Sequence, residues 1–293
     1  MALNRSFLFV PGNVPRRIEK ALTLEADALI FDLEDSVGVS DKVAARTPVA
    51  EAVKRPRHGR GYVRVNPGST PFCYGDLVAT LQKGVDGVFL PKVESAAELH
   101  AIDWLMASLE AERGIAPGSI DLVPMIETAA GVQRIDRIVQ ARNLRTYKGP
   151  WRVKRVCFGA ADYANDIGLS PTLEEAELQD GRNRIVLSSR AAGLENPLDS
   201  PWFHLKENEA FHRALERSRR SGFQGRCCIH PDQIGPVNSA YLPSADEIAR
   251  AQRIVAAFKE AEAKGAAAIQ VDGQMIDYPV AYRAQALLDA VKK

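Results

Sequence analysis

The chain has 293 residues, 46% of them hydrophobic, and 38 Lys and Arg stand against 37 Asp and Glu for a formal net charge of +1. That length buries a full core, either as one large α/β barrel or as two ordinary domains. Interspersed charges of both signs exclude the one-signed field that gathers nucleic acid or an anionic membrane surface, so small molecules are the expected partners.

Cys73, Cys157, Cys227 and Cys228 form no Cys-x-x-Cys pair and read as free buried thiols of a reducing compartment. The first apolar run, Phe7 to Val10, is stopped by Pro11 and Gly12, too soon for the apolar core of a signal peptide. No later stretch is long enough to span a bilayer. The expectation is a soluble, cytoplasmic protein.

Further runs rich in Val, Ile, Leu and Phe follow at Ala28 to Leu33, Tyr62 to Val65, Val88 to Leu90, Leu122 to Ile126 and Val156 to Phe158. Two weaker ones lie near Asn196 to Trp202 and at Arg226 to Ile229. Between the runs, helical spacing marks Arg16 to Glu25, Asp41 to Val53, Ala96 to Glu112, Val132 to Ala141, Leu173 to Ala192 and Glu207 to Arg220. About 30 residues per strand–helix unit, with near-continuous apolar strands, predicts a parallel sheet covered by helices, and about eight units fit a closed (β/α)8 TIM barrel. A doubly wound sheet usually carries an early glycine-rich phosphate loop, and neither Gly-x-Gly-x-x-Gly nor Gly-x-x-x-x-Gly-Lys-Ser/Thr occurs. The basic stretch from Arg142 to Arg155, with Arg145, Tyr147, Lys148, Trp151, Arg152 and Lys154, reads as a solvated loop rather than a polyanion contact.

After His230-Pro231 the pattern changes. Ser244 to Lys264 is an Ala-rich helix with Ser244 and Glu247 spaced as a capping box. Asp272-Gly273 then marks a hairpin turn, and a last helix starts near Val280. The division expected is a barrel over 1–235 and a C-terminal helical extension over 236–293.

In such a barrel the active site lies where strands end and loops begin. The second run closes in Asp32, Glu34 and Asp35, the third in Arg64 and Asn66, the fourth in Lys92, the fifth in Glu127, the sixth in Asp162 and the eighth in His230. Each one alone reads as a solvated loop residue or a helix cap; their accumulation after apolar strands places acids and bases on one rim. Glu127 and Asp162 are suited to Mg²⁺, which commonly takes one or two protein carboxylates and keeps several waters. Such an ion polarises a substrate carbonyl, and Arg64 is suited to clamp a carboxylate. Lys92 is either a charged partner of these acids or, with a depressed pKa, a Schiff-base nucleophile.

These residues also carry a resemblance. The chain is similar to the HpcH/HpaI aldolase and citrate lyase beta-subunit family, with its malyl-CoA and citramalyl-CoA lyases, over nearly its whole length. The pieces that match are Arg5-Ser6 with Phe9 to Asn13, Phe31 to Val37 with Lys42 and Arg46, Val63 to Asn66, Leu90 to Glu94, Ile126 to Thr128, Gly159 to Tyr163, Ile229 to Ile234 and Met275 to Asp277. The resemblance implies a TIM barrel, a Mg²⁺ ion, and reversible cleavage of a carbon–carbon bond in a 3-hydroxyacyl-CoA to acetyl-CoA and a 2-oxo acid. It implies Glu127 and Asp162 as metal ligands, Arg64 as the substrate clamp, and Glu34 and Asp35 as their support. Pro11 falls in a matching N-terminal motif at the substrate and CoA side, and Arg16 and Lys20 match positions that contact CoA phosphates. Asp277, which on its own reads as a turn or cap residue, matches a catalytic acid/base on the extension of a neighbouring subunit, in a homotrimer or homohexamer. Where the family often has Gly-x-Glu-Asp-Tyr, this chain has Gly159-Ala160-Ala161-Asp162-Tyr163. An aldolase that does not use CoA, a malyl-CoA thioesterase, a citrate lyase complex subunit and a non-catalytic binding protein remain as alternatives.

Overall fold

A computed structural model describes residues 4–141 and 150–291. Eight parallel strands close into a barrel in chain order: β1 (Ser6–Pro11), β2 (Ala28–Asp32), β3 (Arg60–Arg64), β4 (Gly87–Leu90), β5 (Asp121–Ile126), β6 (Cys157–Phe158), β7 (Leu198–Asp199) and β8 (Gly225–Cys228). β8 returns to β1, with Phe7 level with Cys227. All eight apolar runs are strands of this TIM barrel, the two weaker ones included.

Side chains alternate along each strand. Phe7, Ile30, Tyr62, Phe89, Met125 and Cys227 belong to the cluster that fills the interior, and Tyr62 and Phe89 meet edge to face at 5.4 Å. The alternate residues, among them Leu8, Leu29, Val63, Val88 and Leu122, pack against the helix layer. Continuing the inward parity past the apolar fill gives Asp32 after Ile30, Arg64 after Tyr62 and Glu127 after Met125. One alternation therefore builds the core and turns three charged side chains toward the C-terminal mouth.

The outer layer begins with α1 (Pro15–Ala21) and α2 (Lys42–Ala52), followed by α3 (Cys73–Thr80), α4 (Ala96–Glu112), α5 (Ala129–Val139), α6 (Ala160–Asp166), α7 (Gln179–Ala191), α8 (Asn208–Arg220) and α9 (Ile234–Ala240). The helix expected from Leu173 starts only at Gln179. Glu175 sits in the left-handed region at φ 48°, and its buried carboxylate accepts from Arg182 at 2.7 Å and Arg226 at 3.3 Å. Buried ion pairs override the helical spacing of that segment. Helices α3, α6 and α9, with eight residues or fewer, show little periodicity, whereas the equally short α1 is marked because its apolar spacing runs on through Leu22 and Leu24 beyond the helix end.

In the basic stretch, Arg145, Tyr147 and Lys148 lie outside the described residues. Trp151 is half-buried, and Arg152 and Arg155 are buried, which corrects the solvated-loop reading. The guanidinium of Arg152 donates to both oxygens of Glu110 at 2.9 and 2.8 Å, and to Asp103. Arg155 pairs with Glu195 at 2.6 Å and lies 3.5 Å from Asp121, which also takes Lys154 at 2.7 Å. The carboxylates of α4 and β5 are themselves inside, so the basic residues that neutralise them are drawn in as well.

From Leu242 the chain forms a second compact unit. It contains α10 (Ala245–Ala263), a hairpin of β9 (Ala268–Val271) and β10 (Gln274–Asp277), and α11 (Tyr278–Val291), around a core that includes Ile254, Phe258 and Ile276. Ser244 Oγ accepts from Glu247 N while Glu247 accepts from Ser244 N, which completes the expected capping box. Asp272 and Gly273 both have positive φ, at 50° and 77°, as a two-residue hairpin turn requires. Asn4–Tyr241 form the other compact unit, and α9 packs within it, where Arg5 Nη1 donates to Asn238 O. Among the described residues no helix is long and apolar enough to cross a membrane.

Removing one partner from a buried ion pair leaves an uncompensated charge and costs about 3–5 kcal/mol. Arg152→Ala is therefore expected to lower unfolding stability by about that amount, read from the urea midpoint. A midpoint shift no larger than that of a surface Arg→Ala control contradicts the assignment.

Candidate active site

Arg64 is the first charge to resolve. Its Nε and Nη2 donate to the two oxygens of Asp32 at 2.7 Å each, a pairing set by register, since Asp32 and Arg64 are partners across β2 and β3. Nη1 reaches Glu34 at 2.9 Å and Asp35 at 3.7 Å, and the guanidinium lies over the Phe9 ring at 4.5 Å. Asp32 also accepts from the backbone N–H groups of Glu34 and Ser36. Burial pushes its carboxyl up, but Arg64 and these hydrogen bonds prevail and hold it below the usual range. Lys42 Nζ donates to the carbonyls of Leu33 and Glu34, and Asn66 Nδ2 to Leu33 O, which fixes the loop carrying Glu34 and Asp35.

Lys92 closes the ring on the next strand. Its Nζ donates to Glu34 at 2.6 Å and lies 3.8 Å from Asp35 and 3.7 Å from Asp162. Burial works against its charge, yet the Glu34 hydrogen bond and the acids around it hold its pKa above the ordinary lysine value. A Schiff-base nucleophile needs the opposite shift, so the charged-partner reading stands.

Glu127 is buried at the end of β5. One carboxylate oxygen accepts from Lys92 N at 2.8 Å; the other is buried without a protein partner. Gly159 clears the space beside it, since a Cβ there would sit 2.2 Å from that oxygen. Burial, followed by the charges of Glu34 and Asp162, pushes Glu127 up to about 8 against the opposing pull of Lys92 and Arg64. Asp162, in the first turn of α6, is part-exposed. A cleft of about 310 Å³ opens over Arg64, Glu127 and Asp162, and its apolar wall comes from Phe9, Met125, Ala161, Phe203 and Ile229.

Among the described residues no three His, Cys, Asp or Glu side chains are grouped to hold a metal ion. The arrangement does fit a hard ion that keeps most of its waters: one buried oxygen lacking a partner, and one acid open to solvent in the same cleft. Glu34, Asp35, Arg64, Glu127 and Asp162 are thus brought together. Pro11 does not line the cleft, and Arg16 and Lys20 stand exposed on α1. His230 turns to a separate cleft beside Trp202, where its Nδ1 accepts from Asp232 N. Asp277 belongs to the second unit and its carboxylate accepts from Val280 N at the start of α11. Asp32, named in the sequence only as a strand end, is the residue whose role was missed; its signal was the acid–base pair closing two consecutive strands.

Residues 5–231 match the model of the HpcH/HpaI aldolase/citrate lyase family. The chain belongs to that family. It is 36% identical over 288 residues to citrate lyase subunit beta of Leuconostoc mesenteroides subsp. cremoris, covering 98% of this chain and 92% of that protein. It is 33% identical to the L-malyl-CoA/beta-methylmalyl-CoA lyase of Rhodobacter capsulatus, covering 94% and 90%. Among solved structures it resembles the CitE protein of Mycobacterium tuberculosis in complex with magnesium, acetoacetate and coenzyme A, with a TM-score of 0.79 at 29% identity over 100% of this chain and 99% of that one.

A carboxyl whose folded pKa lies above its unfolded value binds protons more tightly when folded. Its stabilisation is complete below the unfolded value near 4.5 and is lost as pH rises through about 8. Metal-free protein is therefore expected to lose a few kcal/mol of stability between about pH 5 and 8 through Glu127. Glu127→Gln should flatten that slope in urea unfolding; an unchanged slope contradicts the buried, protonated carboxyl.

Proposed function

We propose that this protein is a Mg²⁺-dependent carbon–carbon lyase that cleaves a 3-hydroxyacyl-CoA of the malyl-CoA or citramalyl-CoA type to acetyl-CoA and a 2-oxo acid. The observation that carries the reading is the partnerless buried oxygen of Glu127 in one cleft with Asp162 and the Arg64 guanidinium. The relatives named as lyases and the magnesium and coenzyme A of the CitE complex support it.

Glu127 and Asp162 would hold the ion, which when bound supplies Lewis-acid polarisation of a substrate oxygen. The guanidinium of Arg64, fixed by Asp32 and Glu34, faces the cleft as a rigid clamp for the substrate carboxylate. Phe9, Met125 and Phe203 shed water from the wall where the thioester end lies. In cleavage the 3-hydroxyl gives its proton to water in the open cleft, the bond between the hydroxyl-bearing carbon and the thioester α-carbon breaks, the former carbon becomes the carbonyl of the 2-oxo acid, and the bond's electrons pass to the thioester as an enolate. Asp277, supplied by the extension of a neighbouring subunit in a homotrimer or homohexamer, then protonates the α-carbon. Arg16 and Lys20 take the CoA phosphates. The similarity to citrate lyase subunit beta favours one second reading, in which the same cleavage acts on a thioester carried by a partner subunit.

An assay of malyl-CoA and citramalyl-CoA with Mg²⁺, resolving acetyl-CoA from free CoA, tests the reaction. Acetyl-CoA and a 2-oxo acid are expected, with turnover lost in EDTA. Hydrolysis products alone, or cleavage indifferent to EDTA, contradict it, and co-purification with carrier and transferase subunits would select the second reading. Asp277→Asn is expected to slow cleavage at least ~100-fold while Mg²⁺ affinity stays unchanged, and full turnover in that variant removes the proton-transfer role.

A further inference from the structure

Lys92 holds a position that costs it backbone strain. It is one of three non-glycine residues among those described with positive φ, at 54°, a conformation that crowds any Cβ. The left-handed turn does two things at once: it points the Lys92 N–H at Glu127, 2.8 Å from one carboxylate oxygen, and it sends Nζ back among Glu34, Asp35 and Asp162 at 2.6, 3.8 and 3.7 Å. The balance of charge around it is uneven. Asp32, Glu34, Asp35, Glu127 and Asp162 face the two cations Arg64 and Lys92, and three nitrogens of Arg64 are already committed to Asp32 and Glu34. Arg64 shares Asp35 with Lys92, at 3.7 and 3.8 Å, and among the described residues Lys92 is the cation within 4 Å of Asp162. Its side chain is 33% exposed, so the ammonium has solvent to move toward when a competitor arrives.

We propose that Lys92 is a resident counter-cation for this ring of acids, and that its charge sets how tightly Glu127 and Asp162 take a divalent ion. The inference rests on the metal reading given above. In the metal-free protein the ammonium relieves repulsion between Glu34, Asp35 and Asp162 and keeps the ring assembled. A divalent ion held by Glu127 and Asp162 would be repelled by the same ammonium, which lies 3.7 Å from Asp162, and would bind more weakly for it. The main-chain N–H of Lys92 tethers Glu127 in both states, so Lys92 acts as a positioning residue and not as a nucleophile.

The test is calorimetric titration of Mg²⁺ into metal-stripped protein at about pH 9, where the carboxyls are ionised, with wild type, Lys92→Met, Lys92→Asn and Lys92→Arg. Asn tolerates positive φ and Met does not, so the pair separates lost charge from relieved strain. The expected result is a Kd at least ~10-fold tighter in both neutral variants and within about threefold of wild type in Lys92→Arg. Melting in EDTA should fall in the neutral variants, and Mg²⁺ should raise their Tm more than it raises that of wild type. Equal affinity across all four proteins, or tightening confined to Lys92→Asn, overturns the counter-cation role while leaving the metal site intact. Absence of Mg²⁺ binding in wild type overturns the metal reading and this inference with it.

Discussion

A guanidinium inside a barrel mouth is the constraint on which the rest of the site depends. Desolvating Arg64 costs several kcal/mol unless its donors are met by well-placed acceptors. Asp32 meets two of them in a planar fork and Glu34 a third, while Phe9 packs against the face. That solution fixes everything next to it. Asp32 is spent on Arg64 and on backbone N–H groups, so it has no free oxygen for substrate or ion. Glu34 shares its charge between Arg64 and Lys92, and Glu127 is left with a single N–H donor and no cation in contact.

Glu127 consequently differs from the other acids of the ring. Asp32 is depressed by its partners, whereas Glu127 is raised by burial and by its acidic neighbours. Two carboxyls of one barrel mouth, at the ends of β2 and β5, thus have opposite shifts; burial pushes both up, and the Arg64 guanidinium in contact with Asp32 reverses it there. On the proposed metal reading, filling the site near neutral pH would exchange a proton for the ion at Glu127, which would couple occupancy to pH. An acid of ordinary pKa at the same place would have no such coupling.

The barrel could be read from the sequence because its information is periodic: apolar runs at near-regular intervals give the strands, and the inward parity of Ile30, Tyr62 and Met125 carries on into Asp32, Arg64 and Glu127. Pairing is not periodic. Nothing in the alternation says that Asp32 closes on Arg64, or that Arg152 and Arg155 turn inward to buried carboxylates instead of facing solvent. Short elements such as α3, α6 and α9 escaped for want of periodicity, although α6 carries Asp162. The roles proposed for Arg16, Lys20 and Asp277 come only from the family resemblance, since on local grounds each is a surface charge or a helix cap.

The most direct test of the central claim is a crystal structure of the protein grown with Mg²⁺ and a 2-oxo acid such as pyruvate. The ion is predicted to be bound by the free oxygen of Glu127 and by Asp162, with the carboxylate of the oxo acid in the same cleft beside Arg64. An ion bound away from both acids, or an oxo acid bound outside the Arg64 cleft, would contradict it.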